Sequence, residues 1–247
     1  MISNHPAFPP LRQFIVIIAL ILSPLSSQPA NSQTNPFPTQ TLKPDDILNF
    51  HNYPPYLQHL IRICLDLTSR RLSYKYGSAD PNQGGFDCSG FVHYTLKQLG
   101  YKNPPRDSTQ IYLWLQQNRT LKKVNDEDPH DRQLQFLRPG DILFWEGTYK
   151  VKRNPPISHV MIYLGIEKNS NRPIMAGASE GRTYHGRPKH GVGVFDFVLP
   201  NPKRKRIPWW FWGTIRTNKT RFVGYGSIPN IHLITIPPHP SLAHKQS

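Results

Sequence analysis

The chain has 247 residues, of which 30 are Lys or Arg and 15 are Asp or Glu, so its formal net charge at pH 7 is +15. An apolar share of 37%, with 12 Phe and 11 Tyr, excludes a wholly disordered chain. With two Cys and no Cys-x-x-Cys pair, a disulfide scaffold and a zinc ribbon are excluded as well. The positive charge predicts an anionic partner, whether polymer, lipid surface or nucleic acid, without choosing among them.

A largely apolar run, FIVIIALILSPL, occupies residues 14–25 and follows Arg12. A membrane-spanning helix needs about twenty apolar residues, so this run has the length of a signal-peptide core. We therefore predict a signal peptide over residues 1–30 and export of the chain, with a short N-terminal anchor as the alternative. Residues 31–55 are rich in Pro, Gln, Asn, Ser and Thr and are predicted to form a polar, Pro-rich linker.

Three helices are predicted after the linker. Apolar residues recur at near-helical spacing over residues 56–71. A second helix is predicted to begin after Asp87, a good N-cap residue, and to end before Gly100, which stands where a helix C′ glycine belongs. Residues 108–117 suggest a third, shorter helix.

Strand signals follow the helices. They cover five short apolar runs, at residues 140–145, 159–165, 174–178, 192–197 and 209–216. Helices first and antiparallel strands afterwards predict the α+β class. The last run contains the sequence WWFW beside the basic stretch KRKR, and we favour a core strand over a basic–aromatic binding patch. Residues 218–247 are predicted to be a Pro-rich C-terminal tail.

The two cysteines invite different interpretations. Cys88 follows the predicted N-cap Asp87, where the helix dipole and unpaired amides stabilise a thiolate, so the sequence predicts a lowered pKa and a nucleophile. The alternative is a small buried cysteine. Cys64 lies in mid-helix on an apolar face and is predicted to be such a core residue. A disulfide between them would silence the nucleophile and is not favoured.

A nucleophilic cysteine needs a base, and His159 is the candidate because it opens a predicted strand directly after the loop over residues 150–158. A Cys and a His that are far apart in sequence but close in space form the pair that a thiol hydrolase requires. The sequence contains no His-Glu-x-x-His, phosphate loop or dinucleotide fingerprint, so no metal or organic cofactor is implied.

Five motifs together resemble the NlpC/P60 family of cell-wall cysteine peptidases, which have a papain-like fold. In chain order these are YKYG from Tyr74, GFDCSGFV from Gly85, PRDS from Pro105, RPGDILFW from Arg138 and ISHVMIYLG from Ile157. The resemblance implies one catalytic domain over residues 56–217, in which N-terminal helices, with the nucleophile at a helix start, pack on a small antiparallel sheet or half-barrel.

The resemblance also assigns roles to residues. It implies Cys88 as nucleophile, His159 as general base, and Tyr74, Asp87 and Ser89 as residues that bind the substrate stem peptide. Asp87 is suited to pair with a free α-amine of that peptide, and it can serve as helix N-cap at the same time.

The third catalytic residue is where the sequence departs from the family pattern. The family usually places a His, Asn or Gln on the strand after the histidine strand, whereas Ala176 or Gly177 stands at that place here. Neither side chain can hydrogen-bond the imidazole. The candidates left open are Glu180, His185 and Asn171, or a backbone carbonyl or water, and we expect a weakly supported His159 to give slow turnover.

The activity that the resemblance implies is hydrolysis of amide bonds in peptidoglycan stem peptides, between γ-D-glutamate and the diamino acid. The protein would then be periplasmic, or secreted and associated with the cell wall, where its charge would hold it near anionic polymer or lipid; no nucleic acid partner is expected. The alternatives are a catalytically impaired cell-wall-binding module and a thiol amidase that acts on another substrate.

Overall fold

The computed structural model describes residues 40–125, 131–198 and 220–234. The predicted signal peptide, the predicted strand over residues 209–216 and half of the predicted tail lie outside these ranges. Among the residues described, no helix is both long enough and apolar enough to span a bilayer.

Three α-helices form the first part of the domain, as the sequence predicts. They are α1 (Pro55–Ser69), α2 (Cys88–Gln98) and α3 (Ser108–Gln117). Each of the last two follows an aspartate whose carboxylate accepts a hydrogen bond from the backbone N–H three residues on, at 2.5 Å for Asp87 and 2.9 Å for Asp107. Gly100 ends α2 with φ +94°, which confirms its predicted place as a C′ glycine.

A small sheet precedes α2 and positions its first turn. It consists of β1 (Ser73–Tyr74), β2 (Ala79–Asp80) and β3 (Gly85–Phe86), with β3 in the middle. The backbone passes so close to the start of α2 that a Cβ on Gly90 would lie 2.0 Å from the carbonyl oxygen of Ser78. Glycine at position 90 therefore allows the close approach that fixes residues 87 and 88.

The main sheet has six strands, and all of its neighbouring pairs are antiparallel. The strands are β4 (Leu121–Lys123), β5 (Ile142–Glu146), β6 (Ile157–Ile166), β7 (Pro173–Tyr184), β8 (Arg187–Asp196) and β9 (Arg221–Gly226). Their order across the sheet is β4–β9–β5–β6–β7–β8. The predicted α+β class and the antiparallel sheet are confirmed.

The strand β9 corrects the predicted tail. It lies between β4 and β5, and the side chains of Phe222 and Tyr225 are buried. The predicted domain end at residue 217 is therefore too early. The strand escaped notice because Gly224 and Gly226 interrupt its apolar pattern; a Cβ on Gly224 would lie 2.3 Å from the carbonyl oxygen of Lys122 on β4.

The predicted linker over residues 31–55 is also corrected, in its second half. Ile47 and Phe50 are buried in the core, and the N–H of Leu48 donates to the carbonyl of Ile166 at 2.8 Å. The segment from residue 40 onward thus packs on the sheet. Its few apolar residues, isolated among polar ones, form no periodic pattern that would have shown this.

Two buried clusters hold the domain together. The larger one joins the helices to the sheet and includes Cys88 with Phe91 of α2 and Val160 of β6. The second includes Trp145 and Met161. Burial of this apolar surface is the main stabilising contribution to the fold, and it fixes the start of α2 against β6.

Candidate active site

Cys88 begins α2 and lies directly against β6. Its side chain is almost fully buried, and the backbone N–H of Val160, the residue that follows His159, lies close enough to the sulfur to lower the pKa of the thiol. The fold therefore brings the predicted nucleophile to the strand position of the predicted base, across 71 residues of sequence.

The thiol does not have the lowered pKa that the sequence predicts. Burial, and then the negative charge of Asp87, raise the pKa of Cys88 to about 11, and hydrogen bonds from backbone N–H groups offset only part of this. The helix start favours the thiolate, but the loss of water around the sulfur and the adjacent Asp87 carboxylate outweigh it. Cys64 is fully buried, as predicted, and burial raises its pKa to about 12. Both thiols are free.

Asp87 stands at the centre of a polar cluster beside the thiol. Its Oδ1 accepts hydrogen bonds from Gly90 N–H, from the hydroxyl of Ser89 at 3.1 Å and from Nη1 of Arg106 at 3.1 Å. Its Oδ2 accepts from Nη2 of Arg106 at 2.9 Å and from Gly77 N–H at 3.0 Å. Asp87 is thus both N-cap and ion-pair partner, and Arg106, a residue of the PRDS motif, joins the residues expected there.

The charge of the Cys88 thiolate would act on two tyrosines. Burial, followed by the charges of Cys88 and Asp87, raises the pKa of Tyr74, and burial with Cys88 raises that of Tyr149. Both phenols therefore lie within electrostatic reach of the sulfur. Tyr74 was expected here; Tyr149 was not, because it lies in a loop without a recognisable pattern. The Tyr149 hydroxyl is 3.5 Å from Nη2 of Arg153.

His159 lies on β6 and is almost fully buried. Trp145 of β5 is its partner across the sheet, and the two ring centroids are 5.7 Å apart at an interplanar angle of 51°. The indole therefore packs against the imidazole and restricts its motion.

The side chain found at Nε2 of His159 is Arg182 of β7. Its Nε donates to Nε2 of His159 at 3.1 Å, and its guanidinium carbon lies 4.0 Å from the centroid of the Trp145 ring. Ala176 instead pairs with Ile162, and a Cβ on Gly177 would meet the side chain of Met161. The expectation of no usable side chain at those two positions is therefore right, but a donor from further along the strand supplies the contact.

The candidates named for the third residue make other contacts. Glu180 is exposed and pairs with His190 across the β7–β8 hairpin. His185 stacks on Tyr184, and its Nε2 lies 2.5 Å from a carboxylate oxygen of Glu167. The contact of Arg182 with His159 was not predicted because β7 runs on to residue 184 and shifts register between residues 180 and 182. The predicted strand ended at residue 178; a strand extended to Tyr184 would have included Arg182.

Within the described parts of the chain, no three His, Cys, Asp or Glu side chains are grouped so that they could hold a metal ion.

The sequence of this domain is similar to those of known proteins. Residues 71–189 match the sequence model of the NlpC/P60 family. The γ-DL-glutamyl hydrolase of Bacillus subtilis is 32% identical over 107 residues, which are 43% of this chain and 20% of that protein. The bifunctional muramidase/DL-endopeptidase CwlT, also of Bacillus subtilis, is 32% identical over 40% of this chain and 25% of CwlT. The murein DD-endopeptidase MepH of Escherichia coli is 29% identical over 40% of this chain and 31% of MepH.

The chain thus spans less than a third of each of these relatives. A solved structure from Staphylococcus aureus, described as similar to lipoprotein and of the NLP/P60 family, aligns with 17% identity and a TM-score of 0.42, over 79% of this chain and 45% of that one. The motifs, the α+β architecture and the match over residues 71–189 agree with one another. The chain therefore carries a domain of the NlpC/P60 family.

Proposed function

We propose that this domain is a cysteine peptidase that hydrolyses amide bonds in the stem peptides of peptidoglycan, with Cys88 as nucleophile and His159 as general base. The observation that carries the proposal is the position of the Cys88 thiol, at the start of α2 and against the backbone next to His159. A thiol at a helix start near an imidazole suits covalent catalysis. The names of the relatives, all hydrolases or endopeptidases, support this class of reaction.

In the proposed reaction the imidazole of His159 takes the thiol proton, and the Cys88 thiolate attacks the carbonyl carbon of the amide. The C–N bond breaks, the amine leaves with the proton from His159, and the acyl group remains on sulfur as a thioester. Water then hydrolyses the thioester, with His159 again as base. Because the pKa of Cys88 is raised to about 11, the thiolate forms during substrate engagement rather than standing ready in the free protein.

Tyr74, Asp87 and Ser89 are proposed to bind the stem peptide beside the thiol. The Asp87 carboxylate already accepts five hydrogen bonds, two of them from Arg106. A free α-amine of the substrate would therefore share this carboxylate with Arg106. The bond between γ-D-glutamate and the diamino acid is the proposed target, since two of the three relatives are named for γ-DL-glutamyl or DL cleavage and one for DD cleavage.

The protein is further proposed to act outside the cytoplasm, in the periplasm or at the cell wall. The apolar run at residues 14–25 and the net charge of +15 support this. Electrostatic retention on anionic polymer predicts that binding to purified cell wall weakens steeply between low and moderate salt concentration. Binding that does not change with salt would contradict this part of the proposal.

The test is mass spectrometry of muropeptides after digestion of peptidoglycan under reducing conditions. We expect new ends between D-glutamate and the diamino acid with the wild-type protein and with Cys64→Ala, and none with Cys88→Ala. Cleavage that persists in Cys88→Ala would overturn the assigned nucleophile. Cleavage at another bond by the same residues would overturn the proposed specificity.

A second function, a cell-wall-binding module with impaired catalysis, is favoured by one observation. Arg182 brings a positive N–H donor to the nitrogen of His159 where an acceptor or neutral partner would support an imidazolium. Wall binding without any cleavage by the wild-type protein would establish this second function in place of the first.

A further inference from the structure

The contact between Arg182 and His159 has a fixed direction. A guanidinium group has only N–H donors, so Nε2 of His159 must be the acceptor in the 3.1 Å hydrogen bond. A neutral imidazole carries one N–H and one lone pair, so the proton of this ring is on Nδ1. The guanidinium is held in place on its other side by the face of Trp145, 4.0 Å from the ring centroid.

The geometry points to Arg182 as a positioning residue that holds His159 in the Nδ1–H tautomer and opposes its conversion to imidazolium. The inference deepens the proposed function, on which it rests for its consequence in catalysis. It concerns a residue that acts through His159 and not on the substrate.

The chemical consequence follows from counting donors. When the imidazole accepts a proton, both of its nitrogens become N–H donors, and the Nε2–H would face the Nε–H of Arg182 across 3.1 Å. Two donors cannot share a hydrogen bond, and the two positive charges repel. Because Nδ1 already carries a proton, Nε2 is the nitrogen that receives the proton of the thiol. Arg182 must therefore swing away from Nε2 before this transfer, which raises the barrier for thiolate formation.

The charged groups that the described residues place around the site carry both signs, and they include Glu180, two residues before Arg182 on β7, whose charge acts on Tyr74. The start of α2 presents the Cys88 thiol and the Asp87 carboxylate, and Arg106 neutralises that carboxylate. On β5 and β9, Glu146 is paired with Arg221. On β8, Lys189 is the register partner of Arg182 and adds a further positive charge across the hairpin. Among the described residues, the group that the structure places at Nε2 is thus cationic.

The test is the tautomeric state of His159, read from long-range ¹H–¹⁵N NMR spectra of protein labelled with ¹⁵N-histidine. The His159 signals are assigned by their loss in His159→Gln. We expect Nδ1–H in the wild type and in Arg182→Lys, which keeps a cationic donor. In Arg182→Gln the side-chain carbonyl can accept a hydrogen bond, so we expect Nε2–H. The wild-type spectrum decides the point even if Arg182→Gln does not fold.

A second readout is the rate at which iodoacetamide alkylates Cys88 between pH 6 and 9. We expect Arg182→Gln to raise the rate near pH 7 by about tenfold, the effect of one pKa unit of thiolate stabilisation, while Arg182→Lys stays close to the wild type. A wild-type ring with Nε2–H, or an unchanged rate in folded Arg182→Gln, would overturn the inference. The proposed peptidase function is tested separately. If it is wrong, the spectra still show Nδ1–H on His159, but the protein cleaves no muropeptide.

Discussion

The guanidinium of Arg106 holds both carboxylate oxygens of Asp87, at 3.1 Å to Oδ1 and 2.9 Å to Oδ2. Because Asp87 is also the N-cap of α2, this ion pair connects the loop before α3 to the helix turn that carries Cys88. The thiol is therefore placed by charge pairing as well as by apolar packing.

Arg106→Gln removes one partner of a mostly buried carboxylate, whose side chain is 11% exposed. We expect a loss of about 1–3 kcal/mol in the free energy of unfolding, because Asp87 is left without its charged donors. The matched control is Arg70→Gln, which breaks an exposed pair with Asp66 on α1 and should cost no more than about 0.5 kcal/mol. Urea unfolding measures both. Equal losses would show that the Arg106–Asp87 pair stabilises the fold no more than an exposed ion pair does.

Native alkylation distinguishes the two thiols. Cys88 is 4% exposed and its pKa is raised to about 11, whereas Cys64 is fully buried and its pKa is raised to about 12. We expect iodoacetamide to label Cys88 first, at a rate that rises about tenfold for each pH unit from 7 to 10, because the thiolate is the reacting form. Peptide mapping after partial labelling checks the order. A Cys88 rate that levels off near pH 7 would contradict the raised pKa.

Asp141 makes the stability of the fold depend on pH. Burial raises the pKa of this carboxyl from its ordinary 3.8 to about 6, against hydrogen bonds from Arg138 N–H and the hydroxyl of Ser227. The folded protein therefore binds the proton more tightly than the unfolded chain. The stability that this contributes is complete below about pH 4 and is lost as the pH rises through about 6.

Asp141→Asn removes the titration and keeps an oxygen acceptor for the N–H of Arg138, while the Ser227 hydroxyl can rotate to accept from the amide NH2. Relative to the wild type, we expect the free energy of unfolding of this variant to rise by about 3 kcal/mol between pH 4 and pH 7, which is the energy equivalent of the pKa shift. Urea unfolding at several pH values measures the difference, with the exposed Asp66→Asn as control. A difference that stays constant across this range would show that Asp141 does not titrate abnormally.

Gly90→Ala tests the close approach at the start of α2. In the interior of an ordinary helix, alanine is more stable than glycine by about 1 kcal/mol. Here the added Cβ would lie 2.0 Å from the backbone oxygen of Ser78, which has no flexible end that can move away. We expect a loss of more than about 2 kcal/mol, against almost none for Lys97→Ala at an exposed position of the same helix. Stabilisation by Gly90→Ala would show that the contact relaxes easily.

The sequence predicted the helices and the strands β5 to β8 because their signals are local. Asp87 and Asp107 mark helix starts, and Gly100 marks a helix end, whatever the rest of the fold is. The strand β9 was missed because its apolar pattern is broken by two glycines that serve the packing of β4. The need for glycine at these positions is set by the neighbouring strand β4, so the sequence of β9 alone does not show it.

The candidate site was predictable in its motif residues and not in its electrostatics. The placement of Cys88 against the strand of His159 follows from the order of the motifs. The raised pKa of Cys88 depends on burial and on Asp87, which are tertiary effects. The contact of Arg182 with His159 depends on a register shift in β7, which moves the strand by one residue relative to β8.

The central claim is that Cys88 and His159 act as one catalytic unit. Its most direct test is kcat/KM for a stem tripeptide with a γ-D-glutamyl bond, measured for the wild type, Cys88→Ser, His159→Gln and the double variant. We expect each single change to lower kcat/KM by about 10³-fold or more, and the double variant to lose no more than the worse single one, since residues of one unit are not additive. Losses that multiply in the double variant, or full activity in Cys88→Ser, would contradict the account.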